Sequence, residues 1–256
     1  MLPFCQKSHY SLLQITEKLS YFWYLIQAMC LSTMRIASVA LLLFFTFCLA
    51  QAKEYGNYDP KRMVTFSETP SGKQAGIDLN YLDQILNDLG LHATNYPSQF
   101  DTPQDRQRAI QDVKTLSGML DILVNNPSQN PELLLRAGFL NSIGYNLDIP
   151  GSGEKTSAIF QRLLAAAPSD PRANYMYGKF LAGAKNPKEA IPHLEKALAA
   201  GVGDAAYALG MTHLSLGDKG KALEYLEDYR KRKPDDENTA KLIDAIRTGN
   251  IELKMN

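Results

Sequence analysis

The chain has 256 residues, enough for one or two domains, and 45% of them are hydrophobic, an ordinary share for a globular core. Its 27 lysines and arginines balance its 27 aspartates and glutamates, so the formal net charge is zero. A nucleic-acid-binding protein needs a basic surface that displaces counterions, and this balance argues against that class.

Residues 34–52 have the three parts of a secretory signal peptide. A basic start is followed by an uncharged apolar run over 36–50 and by the small-x-small exit Ala50-Gln51-Ala52. At about 1.5 Å per residue, this run is shorter than the roughly 30 Å hydrocarbon core. We therefore expect cleavage after Ala52 and a periplasmic or secreted protein, and expect membrane contact only if residues 1–52 are retained.

Residues 1–33 are expected to be an upstream extension that the working protein lacks, with a membrane-proximal segment as the alternative. All three cysteines, Cys5, Cys30 and Cys48, precede the expected cleavage point. The expected mature chain therefore has no disulfide, no thiol nucleophile and no cysteine-based metal site.

Residues 53–78 are predicted to form an irregular arm that lies on the helices. Turn-forming pairs such as Asp59-Pro60 punctuate the segment, residues 63–66 can form one short strand, and residues 70–73 are typical of a turn. The alternative is an isolated β-hairpin. Either form needs neighbouring helices, because a lone hairpin is marginally stable in water.

Residues 79–128 are predicted to form a helical hairpin. Asp78 can cap the first helix, and Thr102 followed by Pro103 is a typical start for the second. Apolar residues recur at three- and four-residue steps along both segments, which places them on one face of each helix. These residues are Leu79, Leu82, Ile85, Leu86 and Leu89, then Ile110, Val113, Leu116, Leu120, Leu123 and Val124.

An internal repeat follows. An offset of 32 residues aligns Gly178 with Gly210, Ala190 with Ala222 and Leu194 with Leu226. The glycine allows the two helices of a pair to approach closely, the alanine lies at the closest point, and the leucine fills the space beside it. Because one pair cannot bury its apolar face alone, successive pairs should stack.

These residues resemble the tetratricopeptide repeat family. Copies are expected at 170–201 and 203–234, after a degenerate copy at 131–168 with an insertion near 148–153, and before a capping helix at 235–247. The resemblance implies an all-α protein in which antiparallel helix pairs stack as a short right-handed solenoid.

The resemblance also implies a binding groove, because the first helices of successive pairs line a concave surface in this family. Two alternatives stay open for Leu135, Phe139 and Tyr207, which either face the ligand or are covered by the 79–125 hairpin. The positions that correspond to the groove are Leu135, Phe139, Arg172, Tyr175, Lys179, Tyr207, Met211 and Ser215.

The sequence contains no recognisable catalytic motif beyond the expected cleavage point. His92, His193 and His213 have no partner at metal-ligand spacing, so we expect no metal and no cofactor. We therefore expect a non-catalytic scaffold or adaptor of the bacterial cell envelope that binds a protein or peptide. The alternatives are an envelope hydrolase with its site in 53–128 and a membrane-tethered structural subunit.

Overall fold

The computed structural model describes residues 54–70, 72–124 and 130–250. The chain divides into two units, 1–52 and 53–256, and the described residues all belong to the second. The predicted extension and signal peptide lie outside the described residues. Within the described part, no helix combines the length and the apolar character needed to cross a membrane.

The described part contains a short 3₁₀ turn, two strands and nine α-helices. The turn at Pro60–Met63 precedes strands β1 (Val64–Thr69) and β2 (Gly72–Ile77). The helices are α1 (Leu79–Ala93), α2 (Pro103–Val124), α3 (Pro131–Asn146), α4 (Ser152–Ala166), α5 (Pro171–Gly183), α6 (Pro187–Ala199), α7 (Asp204–Ser215), α8 (Lys219–Arg232) and α9 (Glu237–Thr248).

The arm predicted to be irregular contains a β-hairpin, so that expectation is corrected for residues 64–77. The two strands pair antiparallel from Val64 opposite Ile77 to Thr69 opposite Gly72. Gly72 takes a φ of +115°, which a side chain would strain, and so permits the reversal after β1. The backbone N–H of Asp78 donates to the carbonyl of the buried Met63 at 2.8 Å and fixes the base of the hairpin.

Helices α1 and α2 share α3 as their main packing partner. Both approach α3 more extensively than they approach each other, so the expected two-helix hairpin is corrected to two helices on one support. The physical reason is that α3 is apolar around most of its circumference. Its buried residues are Leu133, Leu134, Leu135, Ala137, Gly138, Leu140, Asn141, Ile143 and Gly144.

Helices α3 to α8 form three antiparallel pairs, and α9 packs against α8. A Cβ atom added at Gly178 would lie 2.7 Å from Cγ of Leu194, and one at Gly210 would lie 2.6 Å from Cγ of Leu226. In the first pair, Gly138 meets the Phe160 ring in the same way, at 2.8 Å. The glycine is therefore what allows each pair to close.

The aliphatic residues that fill these pairs are fully buried. Ala190, Leu194, Ala222 and Leu226 each have 0% exposure, and the carbonyl of Ala222 lies 3.2 Å from the Cβ position at Gly210. The main core runs from Tyr55 to α7, and a smaller cluster joins α7, α8 and α9. Stacked helix pairs confirm the all-α solenoid predicted from the sequence.

Candidate peptide-binding groove

The first helices of the pairs, α3, α5 and α7, lie beside one another. Among the described residues, α3 approaches α5 and α5 approaches α7 more extensively than successive second helices approach each other. In a curved stack of helix pairs, the helices that come closest are those on the inner side. The surface that α5 and α7 present there is called the inner groove below.

Leu135 and Phe139 do not offer a free ligand surface. Leu135 is only 6% exposed and belongs to the core. Phe139 is half-buried, and its Cζ lies 3.4 Å from the Cβ position at Gly90 in α1. The covered alternative therefore holds for these two groove positions, and the exposed one holds for Tyr207. Helix α1 buries its own apolar stripe over this end of the groove, as an amphipathic helix must.

Arg172 is exposed at the inner groove but is already engaged. Its guanidinium donates to Glu132, which also accepts from Arg136 at 2.9 Å. Arg136 in turn donates two hydrogen bonds to Asp83 at 2.7 and 2.8 Å, so four charged side chains link α1, α3 and α5. The hydrogen bond from Arg172 holds the pKa of Glu132 below its ordinary value, and the one from Arg136 adds to that effect.

Five residues from the next two pairs form a tyrosine–lysine cluster: Tyr175, Lys179, Tyr207, Tyr229 and Lys233. The Lys179 ammonium lies 5.7 Å from the Tyr175 ring centroid, and the Lys233 ammonium lies 5.5 Å from that of Tyr229. The rings of Tyr207 and Tyr229 are 5.2 Å apart. Cation–π and ring–ring contacts of this kind pre-order an aromatic surface.

Burial governs the electrostatics of this cluster. It raises the pKa of Tyr175 to about 12 and lowers the pKa of Lys179, because desolvation disfavours the charged form of either group. Burial also raises the pKa of Tyr207. Lys233 donates to Asp204 at 2.6 Å, and this hydrogen bond raises the pKa of Lys233. Tyr175 and Tyr207 therefore remain neutral hydroxyl groups at physiological pH.

The open part of the inner groove lies on α7. Tyr207 and Met211 are 37% and 36% exposed, so a little over a third of each residue is open to solvent. They stand one helical turn apart and so share a face. Ser215 is exposed on the next turn, and its hydroxyl donates to the carbonyl of Thr212 at 2.7 Å.

Sequence reasoning did not select Tyr229 and Lys233. A signal was available for Tyr229, because the 32-residue offset sets it opposite Ala197, a small residue of the preceding pair. A large ring at a position that holds alanine in the neighbouring copy indicates that the end of α8 reaches towards α7. Lys233 belongs to a basic run that is typical of a helix end, and its pairing with Asp204 depends on tertiary structure.

A second polar cluster fixes the start of the described chain. The hydroxyl of Tyr55, which is 1% exposed, donates to Asp112 at 2.9 Å, and the hydroxyl of Tyr58 donates to Asp88 at 2.8 Å. The His92 ring stacks on Phe100 with centroids 4.8 Å apart. Because Asp88, His92 and Asp112 are buried, this cluster anchors the arm on the helices.

The histidines of the repeats also have structural surroundings. Nδ1 of His193 lies 3.0 Å from Oδ1 of Asn174, and burial lowers the pKa of His193. His213 is 4% exposed and stacks on Tyr225. Over the residues that the structure describes, no group of three or more histidine, cysteine, aspartate or glutamate side chains could hold a metal ion.

The helix pairs and their inner groove define a helical repeat protein. Two family models, both described as tetratricopeptide repeat, match residues 152–205 and 181–246. The matched residues cover α4 to α9 almost entirely. Residues 152–246 therefore carry tetratricopeptide repeats.

Solved structures of similar fold include MamA, with 22% identity over 58% of this chain and 85% of that chain at a TM-score of 0.49. TTC0263, a thermophilic TPR protein in Thermus thermophilus, has 16% identity over 66% of this chain and 92% of that chain at 0.46. YrrB, a TPR protein with an unusual peptide-binding site, has 19% identity over 64% and 84% at 0.45. Comparison with curated proteins finds no match.

Proposed function

We propose that the protein is a non-catalytic scaffold of the bacterial cell envelope that binds a peptide segment of a partner protein. The segment lies in the inner groove over α5 and α7. The end of the groove at α3 is covered by α1. The observation that carries the proposal is the pair of exposed large side chains, Tyr207 and Met211, beside the half-buried Tyr175. Tyrosine and methionine are typical of protein-binding surfaces, because tyrosine buries a large area and methionine adapts its shape to the ligand.

A tetratricopeptide repeat fold supports a protein or peptide partner as the ligand class. The geometry supports an extended or helical segment, because α5 and α7 are neighbours that present parallel rows of side chains. The non-catalytic role rests on the family and on the buried state of the polar cluster at Tyr55.

Envelope localisation rests on the signal-peptide pattern over 34–52. The expected cleavage point lies between Ala52 and Lys53. Tyr55 is already buried two residues later, so cleavage there leaves the anchored arm intact. N-terminal sequencing of the exported protein should begin at Lys53; a chain that starts at Met1 or Met34 and stays with the membrane would favour the tethered subunit.

Partner capture tests the binding proposal. The full chain is expressed in its native envelope, crosslinked and recovered beside two variants. Tyr207→Ala/Met211→Ala removes the open groove side chains, and Leu91→Ala/Ile122→Ala removes two side chains of similar size that are 66% and 78% exposed on α1 and α2. We expect partners that survive the second pair of changes and disappear with the first. Identical partner sets for all three proteins would refute binding in the inner groove.

A further inference from the structure

Among the described residues, one cation of the inner groove has no counter-ion at contact distance. Lys179 forms no hydrogen bond and no ion pair with any described residue, and its ammonium lies over the Tyr175 ring. The other cations on this surface are engaged, Arg172 with Glu132 and Lys233 with Asp204. Lys179 is also half-buried, so the missing partner is costly, because an ammonium loses hydration there.

The surroundings of Lys179 favour one added negative charge. Asp204 favours the charged form of Lys179 from a distance, but it is held by Lys233 at 2.6 Å. Asp236 also lies near Tyr207 and Lys233, so both carboxylates beside the cluster interact with Lys233. Lys179 is left as the one ammonium of the cluster with no carboxylate at contact distance. The hydroxyls of Tyr175 and Tyr207 make no hydrogen bond within the described part of the chain, so each can donate to an incoming oxygen. A phosphate would bring roughly two negative charges and would be only half neutralised, whereas a carboxylate matches.

Apolar surface lies close by. Tyr207 and Met211, on the neighbouring first helix, are both exposed over more than a third of their surface. A ligand that covers them removes their apolar area from water, and one that reaches Lys179 also gives the buried ammonium a partner. Both gains come from one segment only if its acidic and apolar side chains are near neighbours in sequence.

We propose that the inner groove selects a partner segment with an internal glutamate or aspartate within a few residues of an aromatic or large apolar side chain. The carboxylate binds the Lys179 ammonium and the apolar side chain packs on Tyr207 and Met211. This inference rests on the proposed function and adds the chemistry of the partner. A charge-assisted hydrogen bond in a half-buried site contributes about tenfold in affinity.

The test uses protein purified after expression of the full chain and three pools of short N-acetylated peptides with a fixed phenylalanine. The first pool carries glutamate near the phenylalanine and an amidated C-terminus. The second replaces glutamate by glutamine, and the third has glutamine with a free C-terminal carboxylate. Binding is followed by fluorescence anisotropy. We expect the first pool to bind about tenfold more tightly than the second, with a difference that shrinks as salt is added.

Two variants locate the effect. Lys179→Met keeps an unbranched apolar stem and should abolish the preference for glutamate while the phenylalanine-dependent binding remains. Lys196→Met removes the same charge from an exposed position on α6 and should leave the preference unchanged. Far-ultraviolet circular dichroism verifies that both fold, and Lys179→Gln replaces the first variant if it does not.

Each failure has its own meaning. Equal binding of the first two pools, a preference that survives Lys179→Met, or tightest binding of the third pool would overturn the inference. If the first two pools bind equally well and the Tyr207→Ala/Met211→Ala variant binds neither, the proposed function stands without its acidic selectivity. If no pool binds, or if binding survives that double variant, the proposed function and the inference both fail.

Discussion

The close contact at Gly178 gives a sharp test of how the helix pairs close. In Gly178→Ala, the new Cβ would meet Cγ and Cδ2 of Leu194 at 2.7 and 2.8 Å and the backbone nitrogen of Leu194 at 3.2 Å. The leucine side chain can rotate, but the backbone of α6 cannot move without opening the pair. We therefore expect the substitution to separate α5 from α6 and to lower the free energy of unfolding.

The magnitude follows from two opposing effects. Alanine is better than glycine in a helix interior by about 1 kcal/mol, which favours the variant. Overpacking a close-packed site costs about 1–3 kcal/mol, which opposes it. Gly118, in the interior of α2, has no atom within 4 Å of its Cβ position. Gly118→Ala should therefore show the stabilising effect alone, and Gly178→Ala should lie about 1–3 kcal/mol below it in stability.

Urea unfolding followed by far-ultraviolet circular dichroism measures both variants. Leu194→Ala should cost about 2–5 kcal/mol alone, because it leaves a cavity. In the Gly178→Ala/Leu194→Ala double variant the added methyl group enters that cavity, so the combined loss should fall short of the sum by about 0.5–3 kcal/mol. Additive losses, or a Gly178→Ala variant as stable as Gly118→Ala, would refute the close-approach reasoning.

Three further predictions concern the arm, the charge network and a turn. Tyr55→Phe should lower the free energy of unfolding by about 1–3 kcal/mol at neutral pH, because Asp112 loses its buried donor. Burial raises the pKa of Asp112, so this loss should shrink as falling pH protonates the carboxyl. Urea unfolding that shows the same loss at every pH would contradict this. Glu132→Gln should lower the free energy of unfolding by about 0.5–1 kcal/mol at neutral pH. Thermal unfolding should show this difference from the wild type disappear in high salt, and also as the pH falls through the lowered pKa of Glu132. Lys185→Gly should raise the free energy of unfolding by about 1 kcal/mol, because Lys185 has a φ of +62° that glycine adopts without strain. The control Lys188→Gly, inside α6, should lower the free energy of unfolding by a similar amount.

Local rules were sufficient for the helix pairs. The spacing from glycine to alanine to leucine encodes contacts between adjacent helices in sequence, so Gly178 and Leu194 could be recognised from the printed chain alone. Helix caps were predicted equally well. Asp78 was expected to cap the first helix, and its side chain accepts a hydrogen bond from the backbone N–H of Tyr81 at 3.0 Å. These features depend on residues within one pair, where chain connectivity leaves few arrangements.

The hairpin at residues 64–77 shows where local rules fall short. Its two strands carry a single short apolar run, and Gly72 and Gly76 weaken the strand pattern of β2. What selects the hairpin is its base, where Asp78 bonds to the carbonyl of a buried Met63. Because the burial of Met63 depends on α1 and α2, no local pattern could favour the hairpin over an irregular arm.

The sequence predicted the groove only in part, for a related reason. The repeat register identified the inner positions, but the register does not say which of them another part of the chain covers. The α1 helix must bury its apolar stripe, and it does so over α3, so that Leu135 and Phe139 join the packed interior. The exposure of Tyr207 and Met211 follows from the lack of any described element over α7.

By itself the sequence determined the helix pairs and their order, because these follow from periodicity, caps and short-range spacing. Only the tertiary structure decided that α1 and α2 share α3 and that Tyr229 and Lys233 contact residues of α7. It also decided that Lys179 has no counter-ion among the described residues while Arg172 does. Each of these depends on contacts between residues far apart in the chain. Such contacts are set by the summed packing of the whole domain, and a single stretch of sequence does not contain that information.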